Sequence, residues 1–310
     1  MLIQILIFVV ALFVLIMSAR FFTKSAEVIG AWMKLPSFVI GIFIVGIGTS
    51  LPELISGLIS INKGVSEILP GNIMGANISN LLLITGIAVV LNRKTITLSS
   101  AYLYIDLHFL IGSFIYFVVI AYDGVMDFSE SIMGLFIFIV YAIYLIKGGV
   151  TELGSSKDIK RQSFPFKSMV FLLLACTGIY FGADYTVSSL DQIATGLHVP
   201  RSIIALTLLS LGTTLPELAV NIAAINQGKA EMALGNILGS SVFNTLVIPS
   251  IASVFGTIQV PANLLSFSLP FMAACGLLFY LLTQDKKISV WEGLMFILLY
   301  VLFIIKVITI

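Results

Sequence analysis

The sequence predicts an all-α polytopic membrane protein: ten transmembrane helices in two inverted five-helix repeats, with the N-terminus and the C-terminus both outside. Three observations predict it: a charge-poor apolar composition, a one-sided distribution of lysine and arginine, and an internal duplication. Of 310 residues, 59% are hydrophobic and only 10% are charged, whereas soluble domains carry roughly 25% charged residues. Too little polar surface remains to coat a water-soluble globule. A net charge of +1 removes bulk electrostatics as an argument for nucleic-acid binding. Cys176 and Cys275 sit in separate apolar runs, which suits packing rather than a disulfide framework or a zinc site.

A hydrocarbon core about 30 Å thick asks for roughly 20 apolar residues per helix. Ten such segments can be drawn, at 3–23, 36–62, 68–91, 100–121, 129–148, 166–188, 200–226, 232–254, 262–283 and 290–309. The opening MLIQILIFVVALFVLIM lacks the positive flank of a signal peptide and stays apolar past Ser18, so it reads as a spanning helix. Segments two, three, seven and eight carry polar motifs that dilute a plain hydropathy signal.

Charge placement tests the count. With the N-terminus outside, the inner ends and loops hold Arg20, Lys24, Lys34, Arg93, Lys94, Lys147, Lys157, Lys160, Arg161, Lys167, Lys229, Lys286 and Lys287. Only Lys63, Arg201 and Lys306 fall outside, a strong positive-inside bias. Asp123, Asp127 and Glu130 make the loop between segments four and five acidic, as an external loop can be. Residues 149–165 form the one sizeable polar linker. It lies inside and is too short for a folded regulatory domain. It divides a first repeat, 1–148, from a second, 166–310.

The halves resemble each other. GIGTSLPEL at 46–54 recurs as SLGTTLPEL at 210–218, and GNIMGANISN at 71–80 recurs as GNILGSSVFN at 235–244. Both pairs share one offset, 217 − 53 = 244 − 80 = 164, and 15 of 35 positions agree over the gapless stretch, which chance does not produce. Pro36 and Pro200 extend the register upstream. Five helices per copy make the second enter the membrane from the opposite side, an architecture of secondary transporters with the site at the midplane.

Glu53 and Glu217 fall near the middle of segments two and seven. A carboxylate at that depth is costly unless it faces protein, water or an ion. Pro52 and Pro216 precede them, so both helices should kink or break there, freeing carbonyls that lipid tolerates only beside protein or a wet cavity. Thr49 and Thr213, one turn earlier, share the glutamate face, with Ser50 and Thr214 beside them. On segments three and eight, Asn72, Ala76 and Asn80 share a face, repeated as Asn236, Ser240 and Asn244. Gly71 with Gly75, and Gly235 with Gly239, are small-residue pairs that allow close helix approach. Carboxylates, hydroxyls, carboxamides and carbonyls, with no thiolate or imidazole, select hard cations such as Na⁺, Ca²⁺ or Mg²⁺. A kinked site suits Ca²⁺ better than the tight octahedron of Mg²⁺. Two negative charges balance one Ca²⁺ or two Na⁺, a match that favours exchange.

The paired GTSLPE and GNxxGxxxxN motifs resemble the alpha repeats of the cation/Ca²⁺ exchanger superfamily, in particular its sodium/calcium exchanger branch and prokaryotic homologues. The resemblance covers the whole two-repeat plan. It implies antiport of Ca²⁺ against Na⁺, by alternating access, at a midplane site between helices 2, 3, 7 and 8 in a prokaryotic cell membrane. Carried over position by position, Glu53 and Glu217 are the central ligands. Thr49, Ser50, Thr213, Thr214 and Ser240 add oxygens, as do the carbonyls of Gly46 and Ser210, with Asn80 and Asn244 alongside. Helices 1 and 6 become the long pair that slides across this core. Two departures bear on coupling. Ala76 stands where prokaryotic relatives often have serine, and Asn244 where some, including the potassium-dependent branch, have aspartate. No acidic residue follows the GN pairs, where proton-coupled relatives usually carry one, which puts Na⁺ first.

The alternative is an H⁺-coupled antiporter of Ca²⁺ or another divalent cation, and a passive cation channel is a further rival. An enzyme is not expected: the Tyr122–Asp123 pair has no GxGD partner, and neither HExxH nor GxSxG occurs. No cofactor is expected either, and the partners are the transported ions and the lipid bilayer.

Overall fold

Helices dominate because hydrocarbon offers no partner to a backbone N–H or C=O, and a helix satisfies both within one segment. The structure, a computed structural model, describes residues 2–32, 47–92, 95–97, 101–149, 165–226, 230–285 and 287–309. Helix α1 is Leu2–Trp32. Helix α2 comprises a single turn, Ile47–Thr49, and the longer Leu51–Asn62. Helices α3 (Ile68–Asn92), α4 (Ala101–Ala121), α5 (Phe128–Gly149) and α6 (Phe166–Leu197) follow. Helix α7 occupies 201–226 and is interrupted at Thr214, ahead of Leu215–Asn226. Helices α8 (Ala230–Ala252), α9 (Leu264–Thr283) and α10 (Val290–Thr309) complete the order.

Among the described residues, eight helices are long and apolar enough to cross a membrane. The two remaining expected segments correspond to α2, whose residues 36–46 lie outside the described set, and α4, whose apolar run is Leu107–Ala121. Helices α1 and α6 extend well past the expected ends at 23 and 188. Arg20, Lys24 and Asp191 lower hydropathy there without breaking a helix. At 1.5 Å per residue each is about 45–50 Å long, more than the hydrocarbon thickness.

Not everything is helical. Two short antiparallel ladders join loops of opposite halves: β1 (Ile96–Thr97) pairs with β4 (Lys287–Ile288), and β2 (Val125–Met126) with β3 (Ile258–Gln259). The protein remains mostly helical, as expected, and these pairs satisfy loop backbone groups at the helix ends. Gly124, at φ 88°, makes the tight turn into β2, a conformation that favours glycine.

Packing is reciprocal between the halves. Helix α3 lies against α9 and α10, while α8 lies against α4 and α5. The main core is built here, around Phe114, Phe117, Phe279, Phe296 and Phe303. Helices α1 and α6 instead pack along each other with a separate apolar cluster of Leu12, Leu15, Ile16, Val187 and Leu190. Their approach depends on Gly182, where a side chain would meet the Leu15 backbone at 2.8 Å. Gly48 faces Thr23 and Gly212 faces Leu12 in the same way, so α1 runs across the interruptions of both α2 and α7.

Candidate cation site

Both interruptions have one geometry. Ser50 adopts φ −88°, ψ 6° and Thr214 φ −83°, ψ 0°, the bridge region between helical and extended backbone. The expectation of a kink at Pro52 and Pro216 holds with a shift: the interruption precedes each proline. Proline is tolerated in the first turn, where its missing N–H would be unsatisfied anyway. Pro52 therefore opens the longer part of α2 and places Glu53 in its first turn, and Glu217 occupies the first turn of Leu215–Asn226. Each carboxylate thus stands at the positive end of a helix dipole in mid-chain.

Glu53 and Glu217 are 1% and 0% exposed, and their two carboxyl groups lie near enough to interact electrostatically. Thr213 stands beside Glu53, and Thr49 beside Glu217, so each half offers a hydroxyl to the carboxylate of the other. Yet among the described residues none of the four carboxylate oxygens has a partner with hydrogen-bond geometry. Ser50, Ser240, Asn80 and Asn244 are also buried, with side-chain polar atoms unpartnered among the described residues. Buried polar groups are ordinarily paired. Unpartnered oxygens on α2, α3 and α8, together with two buried carboxylates on α2 and α7, are donors of the kind a hard cation takes.

Some expected ligands are otherwise engaged. The Ser210 carbonyl accepts the Thr214 N–H at 3.0 Å and the Thr214 and Thr213 hydroxyls at 2.9 and 3.3 Å. Thr214 nevertheless keeps its oxygen lone pairs. Gly46 lies outside the described residues. Asn72 braces the two halves by accepting the Thr213 hydroxyl at 3.4 Å, and Asn236 donates to Asn221 at 3.4 Å.

Close helix approach holds at the first glycine pair. A side chain at Gly71 would strike the Ser202 carbonyl, and one at Gly75 the Leu206 carbonyl and Ser210. Gly235 and Gly239 meet no described atom so closely, and the stretch the duplication sets against them, 38–46, lies outside the described residues. Helix α3 also carries a π-helical turn at Ser79–Ile84, where the Thr85 hydroxyl bonds the Asn80 carbonyl five residues back at 2.9 Å. Such turns re-aim side chains and recur at functional sites.

The sequence reading passed over Asn77, Ser241 and Asn221, all fully buried with a polar atom unpartnered among the described residues. Two signals pointed to them: Asn77 and Ser241 are partners under the 164 offset, and Asn221 lies one turn beyond Glu217. Among the described residues, no three His, Cys, Asp or Glu side chains stand together as a metal cluster. Asp184 and Asp191 are paired at the surface, Asp184 with Lys63 at 2.7 Å and Asp191 with Arg201, which also reaches Glu67 at 3.3 Å.

Comparison with known proteins covers nearly the whole chain. The family profile described as sodium/calcium exchanger protein matches residues 3–147 and 167–309. The sodium/calcium exchanger MaX1 of Methanosarcina acetivorans is 29% identical over 97% of both chains. The membrane protein MJ0091 of Methanocaldococcus jannaschii is 29% identical over 95% of both. A solved structure of the sodium–calcium exchanger NCX_Mj, soaked with Na⁺ and Sr²⁺, superposes with TM-score 0.69 and 27% identity over 97% of both chains. With the family profile covering nearly the whole chain and these relatives matching it from end to end, this multi-pass membrane protein is a member of the sodium/calcium exchanger family.

Proposed function

We propose that the protein is a secondary antiporter that exchanges Ca²⁺ for Na⁺ by alternating access at a midplane site between α2, α3, α7 and α8. The observation that carries this reading is the pair of buried carboxylates of Glu53 and Glu217, unpartnered among the described residues. Its chemistry is supported by the names of the relatives, MaX1 and NCX_Mj. The two carboxylates hold Ca²⁺, with Thr49, Ser50, Thr213, Thr214, Ser240 and the carbonyls of Gly46 and Ser210 completing the oxygen shell. Asn80 and Asn244 stand alongside. Na⁺ ions displace Ca²⁺ by neutralising the same charges, so occupancy by one excludes the other.

The chain crosses the membrane ten times in two inverted repeats, with both termini outside. The lysine and arginine distribution supports this topology, as do the matching interruptions at Ser50 and Thr214 and the reciprocal packing of α3 and α8. Helices α1 and α6, packed on each other with their own apolar cluster, are the moving pair.

Radioactive Ca²⁺ uptake into proteoliposomes under separate Na⁺, H⁺ and K⁺ gradients tests the proposal. Uptake driven by, and reversing with, the Na⁺ gradient is expected. Uptake that follows only H⁺ would reassign the counter-ion, and uptake indifferent to every counter-ion would make the protein a channel.

A further inference from the structure

Charged side chains that the cation site does not use gather on one face of α6. Asp184, Ser188 and Asp191 follow at i, i+4 and i+7, the spacing of neighbours along a helix surface. Lys63, which ends α2, donates to Asp184 Oδ1 at 2.7 Å and to Ser188 Oγ at 2.5 Å. Asp191 pairs with Arg201 at the start of α7, and Arg201 reaches on to Glu67, just ahead of α3, at 3.3 Å. One stripe of α6 is thereby strapped to the ends of α2, α3 and α7. Asp191 and Arg201 are only ten residues apart across the α6–α7 turn. The Lys63–Asp184 pair, 184 − 63 = 121 residues apart, is the one that fixes the position of α6 against α2.

The strap sits where α6 is best packed. Thr186, Val187, Leu190, Ile193 and Ala194 are each at most 3% exposed. Val187, Leu190 and Ile193 share an apolar cluster with Ile59 of α2, Ile68 of α3 and Val65 between them. The first half of α6 differs: Phe166, Val170, Phe171, Leu173 and Leu174 are exposed. Among the described residues, no ion pair ties that half, or α1, to another helix. Under the proposed topology the strapped end is the outer one. Both members of the Lys63–Asp184 pair are about one-third exposed, so water screens the contact and keeps it weak. A contact that breaks in every cycle has to be weak.

Resting on the proposed movement of α1 and α6, we infer that Lys63 and Asp184 are positioning residues of exchange. Their ion pair joins the moving helix to the core while the site is closed to the outside, and it is lost when the site opens there. The pair touches no transported ion. It acts through the fraction of molecules whose site faces out, and apparent affinity at a face scales with that fraction. A partly exposed pair shifts such an equilibrium by up to about fivefold, enough to bias it without freezing it.

The test is apparent Ca²⁺ affinity measured separately at each face, in right-side-out and inside-out vesicles. Asp184→Lys sets two lysines against each other, and the swap Lys63→Asp/Asp184→Lys restores the pair in reverse. Asp184→Lys should tighten apparent affinity at the outer face by up to about fivefold and leave the inner face unchanged or weaker. The swap should return both faces to wild type. An outer affinity that is unchanged or weaker in Asp184→Lys, or a swap that fails to restore it, would overturn the inference; a purely structural defect would weaken both faces together. A second readout needs no transport. Spin labels are placed on α6 at Thr195→Cys and beyond α8 at Val254→Cys, both exposed positions, in a Cys176→Ser background. Asp184→Lys should enrich a distance population that the swap removes, and one unchanged distribution would overturn the inference even where exchange is normal. That population shift, found together with Ca²⁺ uptake indifferent to Na⁺, would leave the strap standing and overturn only the proposed counter-ion.

Discussion

Gly75 offers the sharpest test of how the two halves are held in contact. A methyl group there would fall on the Leu206 carbonyl oxygen and the Ser210 hydroxyl, with Ser210 Cβ only 2.6 Å away. Carbon atoms rest at about 3.5–4.0 Å, so α3 and α7 would have to part by roughly 1 Å. Overpacking of this kind costs about 1–3 kcal/mol, against up to ~1 kcal/mol gained by replacing a helical glycine with alanine. Separation would also draw Thr213 away from Asn72 and Glu53. Gly75→Ala should therefore lower the unfolding temperature in detergent and slow Ca²⁺ uptake about tenfold, the rate equivalent of ~1.4 kcal/mol. Gly112→Ala is the control. Its methyl group meets nothing within 4 Å, so stability should hold or rise. Wild-type stability and transport in Gly75→Ala would refute the claim that backbone contact between α3 and α7 shapes the site.

Further outcomes follow from individual groups. Glu53→Gln and Glu217→Gln should each weaken apparent Ca²⁺ affinity at least about thirtyfold, since losing one partner of a buried charge contact costs ~2–5 kcal/mol; near-normal exchange by either variant would remove it from the site. The Lys63–Asp184 pair is about one-third exposed, so a double-mutant cycle on unfolding should return no more than about 0.2–1 kcal/mol. Asp127 accepts bonds from the Ser129 hydroxyl and the Glu130 N–H, which hold its carboxyl below the ordinary value. A lowered carboxyl contributes stability above its unfolded value and loses it as pH falls through the folded one. Unfolding temperatures of wild type and Asp127→Asn should therefore converge as pH is lowered through the carboxylate range.

Much of the candidate site was legible because duplication sets its own control: Glu53 and Glu217 are conspicuous singly and more so as a pair. Hydropathy drew the segments well wherever polarity and helix ended together. It stopped early on α1 and α6, where the helix continues through charged residues past the most apolar run. Proline marked the interruptions of α2 and α7 but not their residue, because a first-turn proline follows a break instead of making one. The π-helical turn at Ser79–Ile84 and the strand pairs were hidden, since both arise from contacts that no local pattern encodes. Asn221 escaped notice because its first-half counterpart is Gly57, so the repeat that exposed other residues concealed this one.

The strand pairs also bear on how such a chain could have arisen. Moving β1 and β2 forward by the repeat offset brings them within two residues of β3 and β4, so exchanging the halves turns one ladder into the other. A contact present twice, once in each sense, is what an isologous dimer makes across its two-fold axis. Two copies of a half-length ancestor, inserted head-up and head-down, would already have owned both ladders before fusion joined them.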